Sequence, residues 1–298
     1  MKVGDFVVRK SYDKDVTFKI IDIKEVDGKI IYVLKGLHIR IIADSKEDDL
    51  EKVEDSMAGD KDKTFDSKVN DIINKVLLSR EERNGEKNML RGLDEDIRKN
   101  DNKQELVFGR PGRILHIDGD ATYMETCLKV YKQLNLNAIG VAIPEKEQPQ
   151  KILSLVKEYN PDIVVLTGHD GVLKDKKGML DLNNYRNSKY FIDSVKLLRS
   201  YNSSYDELVI FAGACQSCYE NILEAGANFA SSPSRVLIHC LDPVLVCERI
   251  AYTRIDEIVS IKDVIENTIT GIKGIGGLQT RGKYREGYPK SSYIIDQE

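Results

Sequence analysis

No stretch of this chain approaches the roughly 18 consecutive apolar residues of a membrane span, and the opening MKVGDFVVRK lacks the apolar core of a secretory leader. A cytoplasmic protein without a membrane partner is the expectation. Positive charge is also in short supply: 45 Lys and Arg stand against 49 Asp and Glu, a formal net charge of -4. With no global field to hold a phosphate backbone, a nucleic-acid partner is not expected. Cysteine is sparse and odd in number, at Cys127, Cys215, Cys218, Cys240 and Cys247. That excludes a disulfide-stapled secreted scaffold and predicts reduced thiols. No internal repeat stands out. GIKGIGG lacks the Lys-Ser/Thr of a phosphate loop and its strand–turn–helix setting; the whole segment GIKGIGGLQTRGKYREGYP reads as a flexible basic loop near the substrate cleft.

What is present is a globular composition, 41% hydrophobic and 32% charged over 298 residues, enough for one large domain and a smaller unit. Residues 1–54 carry the strand-like runs DFVVRK, VTFKIIDIKEV, KIIYVLKG and HIRIIAD, with Asp27-Gly28 as a hairpin turn between the second and third. They predict a small SH3-like β-barrel. Residues 55–104 are charged, with few apolar anchors, and read as a partly helical linker that exposes Arg80, Arg83, Arg91 and Arg98.

From 105 to 298 apolar runs alternate with amphipathic ones. RILHIDGD, NAIGVAIP, DIVVLTGHDG and ELVIFAGACQS read as strands, and TYMETCLKVYKQL, PQKILSLVKEYN and SKYFIDSVKLLRSY as the helices between them. A capping box from Thr122 to Glu125 opens the first helix and Pro149 the second. Such strands, apolar on both faces, predict an α/β fold with a doubly wound, mostly parallel sheet flanked by helices. Further on, RVLIHC reads as a strand, and a helix starts at Ser260 and closes at Gly271.

In open α/β sheets the chemistry gathers beyond the carboxyl ends of the strands. Two ends carry reactive side chains: TGHDG presents His169 and GACQS presents Cys215. On neighbouring strands, a histidine lowers the thiol pKa and activates the sulfur. Gly168, Gly171 and Gly213 let the backbone approach a substrate, and the amides of Asp170 and Cys215 are candidates for an oxyanion hole. HIDGD delivers Asp118 and Asp120 to the same edge, either as carboxylates that bind a substrate arginine bidentately or as a turn residue and a helix cap. Cys215 and Cys218 form a C-x-x-C, but Cys240 and Cys247 do not supply the matching second pair of a zinc site. Neither a metal nor a cofactor is expected. His116, His239, Cys127, Cys218, Cys240 and Cys247 read as core.

TGHDG followed by GACQS resembles the active-site strands of the caspase-like cysteine peptidases, which include caspases, legumains, clostripain, gingipains and metacaspases. The chain departs from that pattern in placing Asp170 between His169 and Gly171. Over nearly its full length it resembles the YabG sporulation-specific peptidases of spore-forming Firmicutes, through VGDFVVRKSYDKDVTFKI, IRIIADS, ILHIDGD, GACQS and GGLQTRGKYR. The resemblance implies a caspase-like peptidase domain over 105–298, with His169 as general base and Cys215 as nucleophile. It also implies spore coat and related proteins as substrates, in the mother-cell cytoplasm or at the coat. Clostripain-like and metacaspase-like enzymes often carry an S1 acid two residues before the cysteine. Gly213 stands there in this chain, so an acid that selects a P1 arginine has to come from elsewhere, with Asp118 and Asp120 as the candidates; with that preference the arginines between 80 and 98 are candidate self-cleavage sites. The competing expectation is a non-catalytic coat-assembly or regulatory binding protein with an unreactive Cys215.

Overall fold

The computed structural model describes residues 1–14, 16–53, 67, 69–83, 108–173 and 178–289. The first sheet comprises β1 (Phe6–Arg9), β2 (Thr17–Val26), β3 (Lys29–Gly36), β4 (Ile42–Ser45) and β5 (Leu50–Lys52), all antiparallel in the order β4-β3-β2-β1-β5. Asp27 and Gly28 both take positive φ, 51° and 71°, as the hairpin turn between β2 and β3 demands. Val7, Phe18, Ile20, Leu34 and Leu50 fill a core of its own. β4 and β5 are its edges, with no pairing between them among the described residues. HIRIIAD becomes strand only at Ile42; residues 37–41 leave the sheet as a loop that meets the second sheet.

Residues 69–83 form α1. Val69, Ile73 and Val76, at helical spacing, pack into the main core. Arg80, expected to be exposed, is instead captured. Its Nε and Nη2 donate to Glu248 Oε1 at 3.1 and 2.9 Å, and its guanidinium lies 3.4 Å from the centre of the Tyr252 ring. Arg83 is half-buried; Arg91, Arg98 and most of the 55–104 linker lie outside the described residues.

After β6 (Phe108–Arg110) the chain winds through β7 (Ile114–Asp118), α2 (Ala121–Gln133), β8 (Ala138–Ala142), α3 (Gln148–Tyr159), β9 (Ile163–Thr167), α4 (Ser188–Tyr201), β10 (Val209–Ala212), α5 (Tyr219–Glu224) and β11 (Phe229–Ser231). Next come α6 (Asp242–Ala251), β12 (Ile258–Val259), α7 (Ile261–Glu266), β13 (Ile275–Gly277), β14 (Thr280–Arg281) and β15 (Arg285–Gly287). The second sheet has the order β13-β11-β10-β9-β7-β8, parallel throughout except for β13. Side chains alternate between its two faces as a two-residue period requires. Ile114, Val165, Val209 and Phe211 meet α1, α2 and α6 on one face; Leu115, Ile117, Val164, Leu166 and Ile210 meet α3 and α4 on the other. The chain steps outward from β7 to β8, then returns past β7 to β9. That reversal puts the topological switch point at the carboxyl ends of β7 and β9, where open α/β sheets gather their ligand-binding groups.

Four local expectations are corrected. The cap of α2 is Asp120, whose carboxylate accepts from the amides of Thr122 and Tyr123; Thr122 is already inside the helix. RVLIHC forms no strand. Its only pairing among the described residues is an antiparallel bridge from His239 to Ile39, so its apolar residues are satisfied by packing without a ladder. The helix from Ser260 ends at Glu266, well before Gly271. The Gly-rich basic segment is not a free loop: β13 is the antiparallel edge of the main sheet, while β14 and β15 pair with β12 and β6.

Candidate active site

Three strand ends supply the candidate site. β7 ends at Asp118 and leads through Gly119 to Asp120; β9 leads through Gly168 to His169 and Asp170; β10 leads through Gly213 and Ala214 to Cys215. β9 and β10 are hydrogen-bonded neighbours in parallel register, Leu166 beside Ala212, so the histidine and the cysteine leave the same edge from adjacent strands. Gly213 takes φ +110°, a conformation that costs a side chain, and a Cβ there would crowd Ile222 and Ser231. A Cβ at Gly168 would collide with the Glu145 carboxylate, which accepts the His169 amide at 2.6 Å.

His169 is held from one side. Its Nε2 lies 3.0 Å from Asp120 Oδ2, while Nδ1 is buried and unpartnered among the described residues. An ionised carboxylate only accepts, so this contact puts the ring proton on Nε2 and leaves the Nδ1 lone pair free. Burial works against the charge of Asp120, but hydrogen bonds from His169 and Lys35 outweigh it and hold the carboxyl well below its usual range. Lys35 Nζ, on β3, is 2.6 Å from Oδ2. The Tyr123 ring lies 5.7 Å from the imidazole, between centroids.

Asp170 ties the histidine loop to the cysteine turn. Oδ1 accepts the amides of Gly171 at 2.9 Å and Asn187 at 2.8 Å; Oδ2 accepts the hydroxyls of Ser188 and Ser217. The Ser217 hydroxyl in turn lies 2.9 Å from the Ala214 amide, and the Ser188 hydroxyl 2.8 Å from the Cys218 amide. Burial raises the Asp170 carboxyl, and these four donors act against that. The main-chain amides of Asp170 and Cys215 have no acceptor among the described residues.

Cys215 is 1% exposed. Its sulfur accepts from the Ile238 amide at 3.2 Å, within the segment expected to be a strand. Burial pushes the thiol up to about 12, against the opposing pull of that amide and of the Arg40 cation and main chain. In this state the sulfur is protonated. Cys218 is also buried and lies 3.1 Å from Asn221 Oδ1; all five cysteines are free, and no cluster of metal-ligating side chains occurs among the described residues.

Asp118 is fully buried and does more than make a turn. Oδ1 accepts the Asp120 amide at 2.9 Å, and Oδ2 accepts the Thr167 hydroxyl at 2.8 Å and Arg40 Nη1. Arg40 comes from the loop after β3 and is itself 0% exposed, with Nη2 3.2 Å from the Cys240 carbonyl and 3.4 Å from Cys127 Sγ. Behind them His116 is a core residue, 2.7 Å from Thr167 Oγ1 and 3.1 Å from Tyr131 Oη, with its pKa lowered to about 3 by burial. The sequence reading thus brought Cys215, His169, Asp170, Asp118 and Asp120 to one edge. It missed Arg40, Lys35, Glu145 and Tyr123, of which only Arg40, a cation inside an apolar run, left a trace.

Residues 2–289 match the family described as YabG peptidase U57. The sporulation-specific protease YabG of Bacillus subtilis (strain 168) is 42% identical over 293 residues, covering 98% of this chain and 99% of that protein. Among solved structures, a LuxR-family two-component response regulator from Aurantimonas sp. SI85-9A1 aligns with a TM-score of 0.26 and 19% identity, over 40% of this chain and 71% of that one.

Proposed function

Since this chain belongs to the YabG peptidase U57 family and is therefore a peptidase, we propose that it is a cysteine endopeptidase with Cys215 as nucleophile, His169 as base and Asp120 as the carboxylate that orients the imidazole. The observation that carries the reading is the histidine itself. One ring nitrogen is fixed on a carboxylate, the other is buried and free, and the next strand ends in a thiol. Asp120 therefore moves from a specificity candidate to a positioning residue.

The reaction follows. The Cys215 proton passes to His169 Nδ1, and the thiolate attacks the scissile carbonyl carbon, forming the C–S bond. The amides of Cys215 and Asp170 receive the negative oxygen. The imidazolium, stabilised by Asp120, returns its proton to the leaving amine as the C–N bond breaks. Water, deprotonated by the same histidine, then releases the thioester. Asp118 is the S1 carboxylate on this reading, with arginine preferred because its planar fork matches a carboxylate bidentately where lysine offers a point charge. The fold of 105–298 is caspase-like and that of 1–54 SH3-like. The substrates are spore coat and related proteins of the sporulating cell, met in the mother-cell cytoplasm or at the coat. A non-catalytic binding role is set aside by the family.

The test is hydrolysis of a P1-scanned peptide set by the wild type, Cys215→Ala, His169→Ala and Asp120→Asn. Loss of roughly a thousandfold or more is expected for the first two, and a smaller loss, confined to turnover and shifted in its pH profile, for Asp120→Asn. Turnover that survives in Cys215→Ala would sink the assignment.

A further inference from the structure

Arg40 is an anomaly for an N-terminal sheet. It is the largest fully buried side chain of the molecule's described part, and it is buried in the other unit, against Asp118, Cys127 and Cys240. Its Nε has no partner there. Burying an ion pair costs several kcal/mol of desolvation per charge, and apolar residues of similar volume often serve stability better. Stability alone therefore does not account for a cation at this point.

The main chain around Arg40 is caught as well. The Tyr123 hydroxyl lies 2.5 and 2.7 Å from the carbonyl oxygens of Gly36 and Ile39, the Cys240 amide donates to the His38 carbonyl at 3.0 Å, and Ile39 bridges His239 in antiparallel fashion. The contact is one antiparallel bridge and one amide–carbonyl bond onto residues 238–240, the stretch whose Ile238 amide rests on the Cys215 sulfur, so the loop is pinned directly beside the thiol. Nucleophile and base are both closed off, at 1% and 8% exposure. Lys35, a few residues upstream, pairs with Asp120, so one short stretch neutralises both carboxylates of HIDGD.

We propose that Arg40 is an internal occupant of the pocket that receives the substrate's P1 arginine, and that the loop 36–41 holds the peptidase shut until it is displaced. The proposal rests on the assignment of Cys215 and Asp118 made above. The loop blocks without being cut because of its shape. The Ile41 amide donates to the Ile39 carbonyl at 2.7 Å, and Gly36 to the Ile41 carbonyl at 3.0 Å, so the chain folds back in a three-residue turn centred on Arg40. A scissile peptide must run extended past the nucleophile; this one does not.

Two readouts on the full chain test it: the rate at which iodoacetamide modifies Cys215, located by mass spectrometry, and the turnover of an arginyl peptide. Arg40→Met keeps the bulk and leaves Asp118 with the Thr167 hydroxyl and the Asp120 amide as donors. Opening should outweigh the lost pull of the cation on the thiol, so alkylation should speed up about tenfold or more and turnover rise, with Arg40→Lys between; in Arg40→Ala, which vacates the guanidinium's space, methylguanidinium should slow the alkylation again. Alkylation of a folded Arg40→Met within about twofold of the wild type overturns the proposal, whatever the peptide does. Faster alkylation with no peptide cleaved by any form supports Arg40 as the closing group and sinks the role of Cys215 instead. If Arg40→Met does not fold, Tyr123→Phe, which frees the Gly36 and Ile39 carbonyls and spares the ion pair, carries the same two outcomes.

Discussion

Two aspartates hold arginines at opposite ends of one sheet, on different terms. Beyond the carboxyl end of β7, Asp118 and Arg40 are both 0% exposed. Before the amino end of β9, Asp162 faces Arg113 and Arg285 at 3.6 and 3.8 Å, the guanidinium chains about half exposed at 48% and 55%, in an open cleft shared with Arg110 and Asn137. Water can replace any partner in the second arrangement and none in the first. The charge on Asp162 answers to solvent, whereas the Asp118–Arg40 pair answers only to protein groups. Of the two pairs, the buried one is held in a fixed geometry and the half-exposed one is not.

The sharpest way to break this contrast is to neutralise each carboxylate in turn. Asp118→Asn leaves Arg40 buried without its counter-charge and should cost about 3–5 kcal/mol in urea unfolding, whereas replacing both partners, Asp118→Leu with Arg40→Met, should recover most of that. If Asp118→Asn proved harmless, the carboxyl end would be solvated like the other. Next comes acid. Burial lowers His116 and His239 to about 3, so the folded chain keeps them neutral while the unfolded chain takes up protons below about 6.5. Stability present above pH 6.5 is lost as pH falls toward 3, by roughly 2 kcal/mol per histidine at pH 5. Urea midpoints at pH 7.5 and 5 should show it, and His116→Gln should remove about half the difference. The depressed carboxyl of Asp120 adds a loss in the same direction at still lower pH. The smallest effect belongs to Asp162→Asn, which keeps an acceptor for the Arg113 amide; less than about 1 kcal/mol is expected, shrinking further with salt.

The strands that carry His169 and Cys215 were legible because each is a short run buried on both faces, ended by a glycine that admits a turn. β11 was not: three residues, FAS, are too few for a period, and the more strand-like RVLIHC stood next to it. What makes RVLIHC apolar is packing against Cys215 and the loop 36–41, a tertiary demand that alternation cannot distinguish from a ladder. Asp120 illustrates the same limit within one residue. Its capping role is local, but its hold on His169 spans 49 positions and exists only once β7 and β9 are paired. Arg40 is the extreme case, 78 residues from Asp118 and 200 from Cys240, in a run whose alternation reads as a surface strand.

Those separations also set an order in time. A chain emerges from the ribosome amino end first, and domains fold as they emerge. The first sheet has an apolar core of its own, and its loop bearing Arg40 is made before β7 and long before β10 delivers the thiol. The parallel sheet, built from distant pairings, is the slower part to assemble, and its edge strand β13 joins only after residue 277 has been made. Every copy of Cys215 is thus added to a chain that already carries both Arg40 and its carboxylate partner Asp118.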